Sequence, residues 1–458
     1  PMSSYTEIFY QAIQDYSWKS AQEIVPLVMG LLQPKSVIDI GCGTGSFLSV
    51  FQQHGVEDIF GLDGDWVERQ LLKIPEDKFT AANLSQPWPV EREFDLAMSV
   101  EVAEHLTPEY ADHFVDSMVK LSRVCLFSAA IPMQGGVDHF NEQWPEYWIR
   151  KFQDRGYVVI DCIRKKVWDN PNVAWWYNQN ILLFVQQAYL SQYPLVQNEF
   201  QKNSLQFSIV HPTLYLHKCS EKGIQPMDES VRNKTTIQPY SDSFYQSIQP
   251  VSRDAAKEII PFIDKWLNHP KSIVDVGCGT GTWLSVFQER GITDFLGIDG
   301  TWITGDLLEI PTSHFQPVDL EKIAPFDRRF DLVISLTLAE RIPHDCVENY
   351  IDTLTQLGSV CLFSAAIPCQ IGINHINEQW PDYWKQHFQK RGYILVDCLR
   401  SKIWNNSKVG WWYAQNTFLF IKQEELANYP FLQAELYQVS DAPLAIIHPS
   451  LYLGKCFS

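Results

Sequence analysis

The sequence predicts an α/β protein of two tandem domains, each a mostly parallel sheet of seven strands with helices on both faces. Three observations predict it. The first is an internal repeat: "SVIDIGCGTGSFLSVF" from Ser36 is answered by "SIVDVGCGTGTWLSVF" from Ser272, and "HFNEQWP" from His139 by "HINEQWP" from His375, both 236 positions on. A unit of that length is a duplicated globular domain and not a solenoid repeat. The second is the alternation, within each copy, of short apolar runs with helical patterns, which marks strands joined by helical crossovers. The third is a glycine-rich turn between the first apolar run and its helix, the place where such sheets bind ligands.

Taken in order, "SVIDI" (36–40) is a buried strand, "GCGTG" a turn, "SFLSVFQQHG" a helix ended by Gly55, and "DIFGLD" (58–63) a second strand. "FTAANL" (79–84), "FDLAMSV" (94–100) and "VCLFSA" (124–129) supply three more, with a helix from about Pro108 to Leu121 between the last two. "EQWPEYWIRKFQDRGY" reads as a helix leading into the strand "VVIDC", and "NILLFVQQ" as the seventh strand. The second copy reproduces this order. The polar stretch "SEKGIQPMDESVRNKTTIQP" has no counterpart and reads as a linker over 220–239, between domains at 1–219 and 240–458.

Apolar residues make up 45% of the 458 and charged residues 20%, as in water-soluble globular proteins. No apolar run approaches the roughly 18 residues of a membrane helix. The start, "PMSSYTEIFY", lacks a basic region followed by an apolar stretch, so a cytoplasmic location is expected. A net charge of −18 repels polyanions and argues against nucleic acid. The ten cysteines include no CxxC pair or zinc spacing and read as reduced, buried thiols. No acidic or histidine cluster stands at clear metal spacing, so no metal is expected.

The turn carries Gly41, Gly43 and Gly45, and its copy Gly277, Gly279 and Gly281. Positions without side chains let a cofactor lie against the backbone where a strand feeds a helix. The G-x-G-x-G spacing departs from the dinucleotide G-x-G-x-x-G, which argues against NAD. Asp63 and Asp299 end the second strand of each copy, where a carboxylate can accept from a ribose diol. Together these residues resemble the class I S-adenosylmethionine-dependent methyltransferases, over about 36–185 and 272–421. The resemblance implies a Rossmann-like seven-stranded fold whose last strand is antiparallel, and one S-adenosylmethionine per domain, released as S-adenosylhomocysteine. It implies that Asp39 and Asp275 open the glycine motif, and that Asn83 and Asp319 face the adenine amino group. It also implies that "FDLAMSVEVAEHL" borders the methionine end of the cofactor. Trp66 and Trp302, three residues past the ribose acid, either flank the adenine or pack.

The segment holding His139 and His375 leaves the fifth strand at the ligand end of the sheet, so each imidazole is a candidate general base. Asn141 and Asn377 are candidates to orient the imidazole or the substrate. Glu142 and Gln143 either cap the following helix or contact backbone amides. In "EVAEHL", His105 is a second candidate base, whereas the second copy reads "TLAERI" with Arg341 there. A permanently charged guanidinium cannot act as a base but can clamp a carboxylate. The "WWY" runs at Trp175 and Trp411 either wall an apolar substrate or approach the sulfonium, or lie buried between helix and sheet, the reading favoured here. Tyr5, Phe9 and Tyr10 fall where this class of methyltransferase carries lid helices. The expectation is a tandem O-methyltransferase, acting on hydroxyl or carboxyl groups of a small molecule through two similar, non-identical sites. N-methylation, or one catalytic and one degenerate half, is the alternative. Internal pairing of the halves suggests a monomer.

Overall fold

The computed structural model describes residues 7–202, 206–228, 237–322, 326–439 and 441–457, with side chains from residue 15 onward. The chain divides into two compact units, Pro1–Leu214 and Tyr215–Ser458. The strands of the first are β1 (Ser36–Ile40), β2 (Asp58–Asp63), β3 (Phe79–Ala81), β4 (Leu96–Val100), β5 (Val124–Ser128), β6 (Tyr157–Ile160) and β7 (Leu182–Gln186). They lie in the order β3-β2-β1-β4-β5-β7-β6. The pairs β1–β2, β2–β3, β1–β4 and β4–β5 are parallel, while β7 runs antiparallel to both β5 and β6. The second unit repeats this sheet with strands beginning at Ser272, Asp294, Phe315, Leu332, Val360, Tyr393 and Thr417. Seven strands per copy, with the last antiparallel, are as expected.

Both faces of the first sheet are covered because its central strands are apolar on both sides; β4 and β5 are buried at every residue. Helices α1 (Glu7–Leu32) and α2 (Ser46–Gln53) pack Ile24, Val25, Phe47 and Phe51 on one face. On the other, α3 (Ala111–Leu121) and α4 (Pro145–Gln153) contribute Phe114, Met118, Trp148 and Phe152. There Phe152 stacks on Phe184 of β7 with centroids 4.0 Å apart, and Phe388 on Phe420 at 3.9 Å in the second unit.

An ion pair is built into each core. Arg164 is 1% exposed, bonds Asp161 at 2.5 Å, and donates to the carbonyls of Gln179 and Phe207. Removing one partner of such a pair strands the other charge. Arg164→Ala is therefore expected to cost the first unit about 3–5 kcal/mol, read as an earlier urea midpoint.

The stretch read as a linker is not loose at its end: Ile237 is buried in the second unit's core and donates its amide to Glu321. No helix among the described residues is long and apolar enough to cross a membrane. None of the ten cysteines forms a disulfide.

Candidate active site

Strand order reverses between β1 and β4, so the turns leaving these strands diverge and open a crevice at their carboxyl ends. The turn after β1 must bend sharply beneath it. Gly41 takes φ +76°, and a Cβ there would stand 2.3 Å from Val102. Asp63 at the end of β2 clasps this turn, accepting from Gly43 N at 2.7 Å and Gly64 N at 2.6 Å. Asp299 does the same with Gly279 and Gly300. Burial raises the pKa of both acids against the lowering effect of these amides. Each carboxylate oxygen retains a lone pair for a ribose hydroxyl.

In the first unit the crevice forms two cavities that share Gly41, Glu101 and His105 in their walls. The larger, about 1000 Å³, is walled by Asp63, Trp66, Asn83, Tyr110 and Phe140. The smaller, about 570 Å³, is walled by Asp39, Gly43, Glu104, His139, Trp175 and Trp176. The second unit's cavity, about 310 Å³, is walled by Asp275, Gly277, Gly279, Asp299, Glu340, Arg341 and His375.

S-adenosylmethionine fits these residues. The carboxyl of Asp39 is buried with Oδ1 unpartnered, and burial followed by the charge of Asp63 pushes its pKa well up. A buried acid with a vacant lone pair facing a cavity suits a cationic ligand. Among the described residues nothing lies within 4 Å of where a Cβ on Gly43 would be, while one on Gly279 would meet Tyr245 at 3.5 Å.

Several expected contacts are placed differently. Gly45 and Gly281 do not line the cavities; each starts a helix in the left-handed conformation, against Ile74 or Ile310. Trp66 borders the larger cavity with its ring over Gly64, while Trp302 lies over Gly300 outside the second cavity's lining. Asn83 borders the larger cavity, whereas Asp319 lies outside the second cavity's lining and caps the turn at Glu321.

Asn141 and Asn377, candidates to orient the imidazole or the substrate, are 2% and 0% exposed. Each side-chain oxygen accepts from Gln143 or Gln379. Their backbone amides donate to the carbonyls of Glu104 and Glu340, fastening the histidine loop to the turn after the fourth strand. Of the two readings of the tryptophan runs, the cavity wall is the one found: Trp175 and Trp176, like Trp411 and Trp412, line the cavities. Tyr5 lies outside the described residues, as do the side chains of Phe9 and Tyr10. Their echoes Tyr240, Phe244 and Tyr245 line the second cavity.

The histidines are held firmly. His139 Nδ1 meets Glu142 Oε1 at 2.9 Å, and His375 Nδ1 meets Glu378 Oε1 at 2.8 Å. Each glutamate is itself held by a backbone amide, of Gly135 or Ile371, at 2.7 Å. Of the two readings of Glu142, contact with a backbone amide is the one found; its bond to the imidazole was missed, and the signal was the His-x-x-Glu spacing kept in both copies. A carboxylate on Nδ1 fixes the proton there and leaves the Nε2 lone pair free. Burial opposes protonation of His375, but the bond from Glu378 and the charge of Glu340 outweigh it and raise its pKa.

His105 and His139 stand edge to face with centroids 4.8 Å apart, and His105 Nδ1 meets the Asp138 carbonyl at 3.1 Å. Arg341, expected to clamp a carboxylate, is 5% exposed. It donates to the Gln238 carbonyl and lies 4.1 Å over the Tyr240 ring. It therefore fastens the 238–240 segment beside the cavity, and its buried Nε has no hydrogen-bond partner.

A family model described as "Methyltransferase domain" matches residues 13–169 and 249–417. With the first six strands of each sheet and both glycine turns inside those spans, the chain belongs to this methyltransferase family and is an S-adenosylmethionine-dependent enzyme. No curated protein matches it in sequence. Among solved structures, the methyltransferase domain of bacterial CtHen1 aligns at 18% identity over 37% of this chain and 98% of its own, with a TM-score of 0.29. Magnesium protoporphyrin IX methyltransferase from Synechocystis PCC 6803, with bound S-adenosylhomocysteine, aligns at 16% over 41% and 90%, TM-score 0.30. An O-methyltransferase family protein from Burkholderia thailandensis aligns at 15% over 39% of this chain and 59% of its own, TM-score 0.31.

Proposed function

We propose that each half binds one S-adenosylmethionine and methylates an oxygen of a small-molecule acceptor, with two similar but non-identical sites. The observation that carries this reading is the imidazole in the wall of each cavity, His139 or His375, with its Nδ1 held by Glu142 or Glu378. When bound, the cofactor supplies an electrophilic methyl on a sulfonium, so the protein's task is placement and, for a hydroxyl, removal of a proton. His375 Nε2 would take that proton as the oxygen attacks, with the bond-pair of the breaking C–S bond passing to sulfur. Glu378 would balance the imidazolium. Trp411 and Trp412 shape an apolar wall, which suits an aromatic or similarly flat acceptor.

The test is turnover of methyl-labelled cofactor by the full chain with a panel of phenols, hydroxy acids and carboxylic acids, beside matched amines. Label in oxygen-bearing products supports the reading. Label only in the amines overturns it in favour of N-methylation.

A further inference from the structure

We propose that the first half holds one first-row transition-metal dication on Glu104, His105 and His139, and that Arg341 supplies the equivalent charge in the second half. The ligand atoms of these three residues lie within 4.8 Å of one another. Both imidazoles have Nδ1 engaged, by the Asp138 carbonyl and by Glu142, so both offer Nε2. A histidine ligand held through its other nitrogen by a carboxylate or carbonyl is the usual second layer of a metal site. Glu104 is 0% exposed and no hydrogen bond of normal geometry reaches either carboxylate oxygen, although the amides of Glu104 itself and Ala130 lie on that side. Donors side by side on one ion stand roughly 3 Å apart, a closure that small side-chain rotations achieve. Two imidazoles and one carboxylate favour manganese, iron, cobalt or zinc over magnesium or calcium, and leave positions open toward the cavity.

The second half keeps two of the three ligands, with His375 Nε2 3.7 Å from Glu340 Oε1. The third becomes Arg341, which cannot ligate a metal. Glu101 becomes Thr337 at the same place. Losing one carboxylate and gaining one guanidinium raises the fixed charge by two units, the charge of a divalent ion. Each half thereby offsets its buried glutamate, one with a dication and one with a side chain.

In the first half the ion occupies the nitrogen that His375 keeps for a proton. An acceptor hydroxyl there would ionise by coordination, since a bound dication lowers the pKa of an oxygen it touches. The site stands on ligand geometry and is tested without any acceptor, so it stands or falls apart from the reading of methyl transfer.

The experiment is titration of the chelator-treated full chain with Mn2+, followed by electron paramagnetic resonance and calorimetry. One bound ion per chain is expected. His105→Arg, which installs the second half's own residue, should weaken binding by at least a hundredfold while far-ultraviolet circular dichroism stays unchanged. The double variant Arg341→His with Thr337→Glu should bind two ions per chain. Absence of saturable binding, or full binding by His105→Arg, overturns the metal site; one ion on the double variant overturns the charge exchange.

Discussion

His375→Ala should lower methyl transfer by the second half by about 10²–10⁴-fold while leaving its affinity for S-adenosylmethionine unchanged, because a positioned base contributes at the transition state and not to cofactor binding. The structure separates these roles: His375 is fixed by Glu378, whereas the glycine turn is fixed by Asp299. The pH profile carries a second signature. A base must be neutral, and Glu378 and Glu340 raise the pKa of His375 despite its burial. Transfer by the second half should therefore fall as pH drops through a value above the ordinary imidazole pKa of about 6.5. Glu378→Gln removes the stronger raising influence, so the midpoint should move down while the maximal rate also drops. Single-turnover measurement of product per half checks both. Loss of cofactor affinity in His375→Ala would place the residue in the cofactor site instead.

Asp63→Ala should abolish cofactor binding by the first half alone, and Asp299→Ala by the second alone. Each carboxylate takes two backbone amides that have no substitute partner, and bonds to a charged group are worth about 1.5–3 kcal/mol each. Losing the pair opens the glycine turn as well as removing the ribose contact, so a loss of at least about a hundredfold is expected. Calorimetric stoichiometry should fall from two to one in either variant and to none in the double variant. A parent chain that binds a single cofactor would show that one half is degenerate.

The fold was legible because its signals are local. Strand lengths, the glycine turn and the acid ending β2 each depend on a few neighbouring residues, and the duplication gave every pattern twice. The candidate site was legible only where a residue's role follows from its position on an element. For His139, His375 and His105 it is the placement in a cavity wall that was legible. For Asn141 and Asn377 it was not, since facing inward or outward in an irregular loop depends on which carbonyls the loop meets, here those of Glu104 and Glu340. Arg341 looked like an open clamp because its partner Gln238 is 103 positions away. The tryptophan runs left burial and cavity wall both open because apolarity alone cannot tell a core from a cavity wall.

The residue that leaves the fourth strand, Glu101 in one half and Thr337 in the other, adopts a left-handed backbone at φ 56° and φ 54°. That conformation costs of order 1–3 kcal/mol, most of all for a β-branched threonine. It is kept in both halves by contacts that ignore the side chain: the Ser128 or Ser364 hydroxyl accepts the amide, and two amides converge on the carbonyl of Glu104 or Glu340. The bend is cast before any charge is placed on it. The two halves carry different side chains there, acid against hydroxyl and imidazole against guanidinium, on a backbone bend that keeps the same φ. One socket can thus accept two kinds of chemistry.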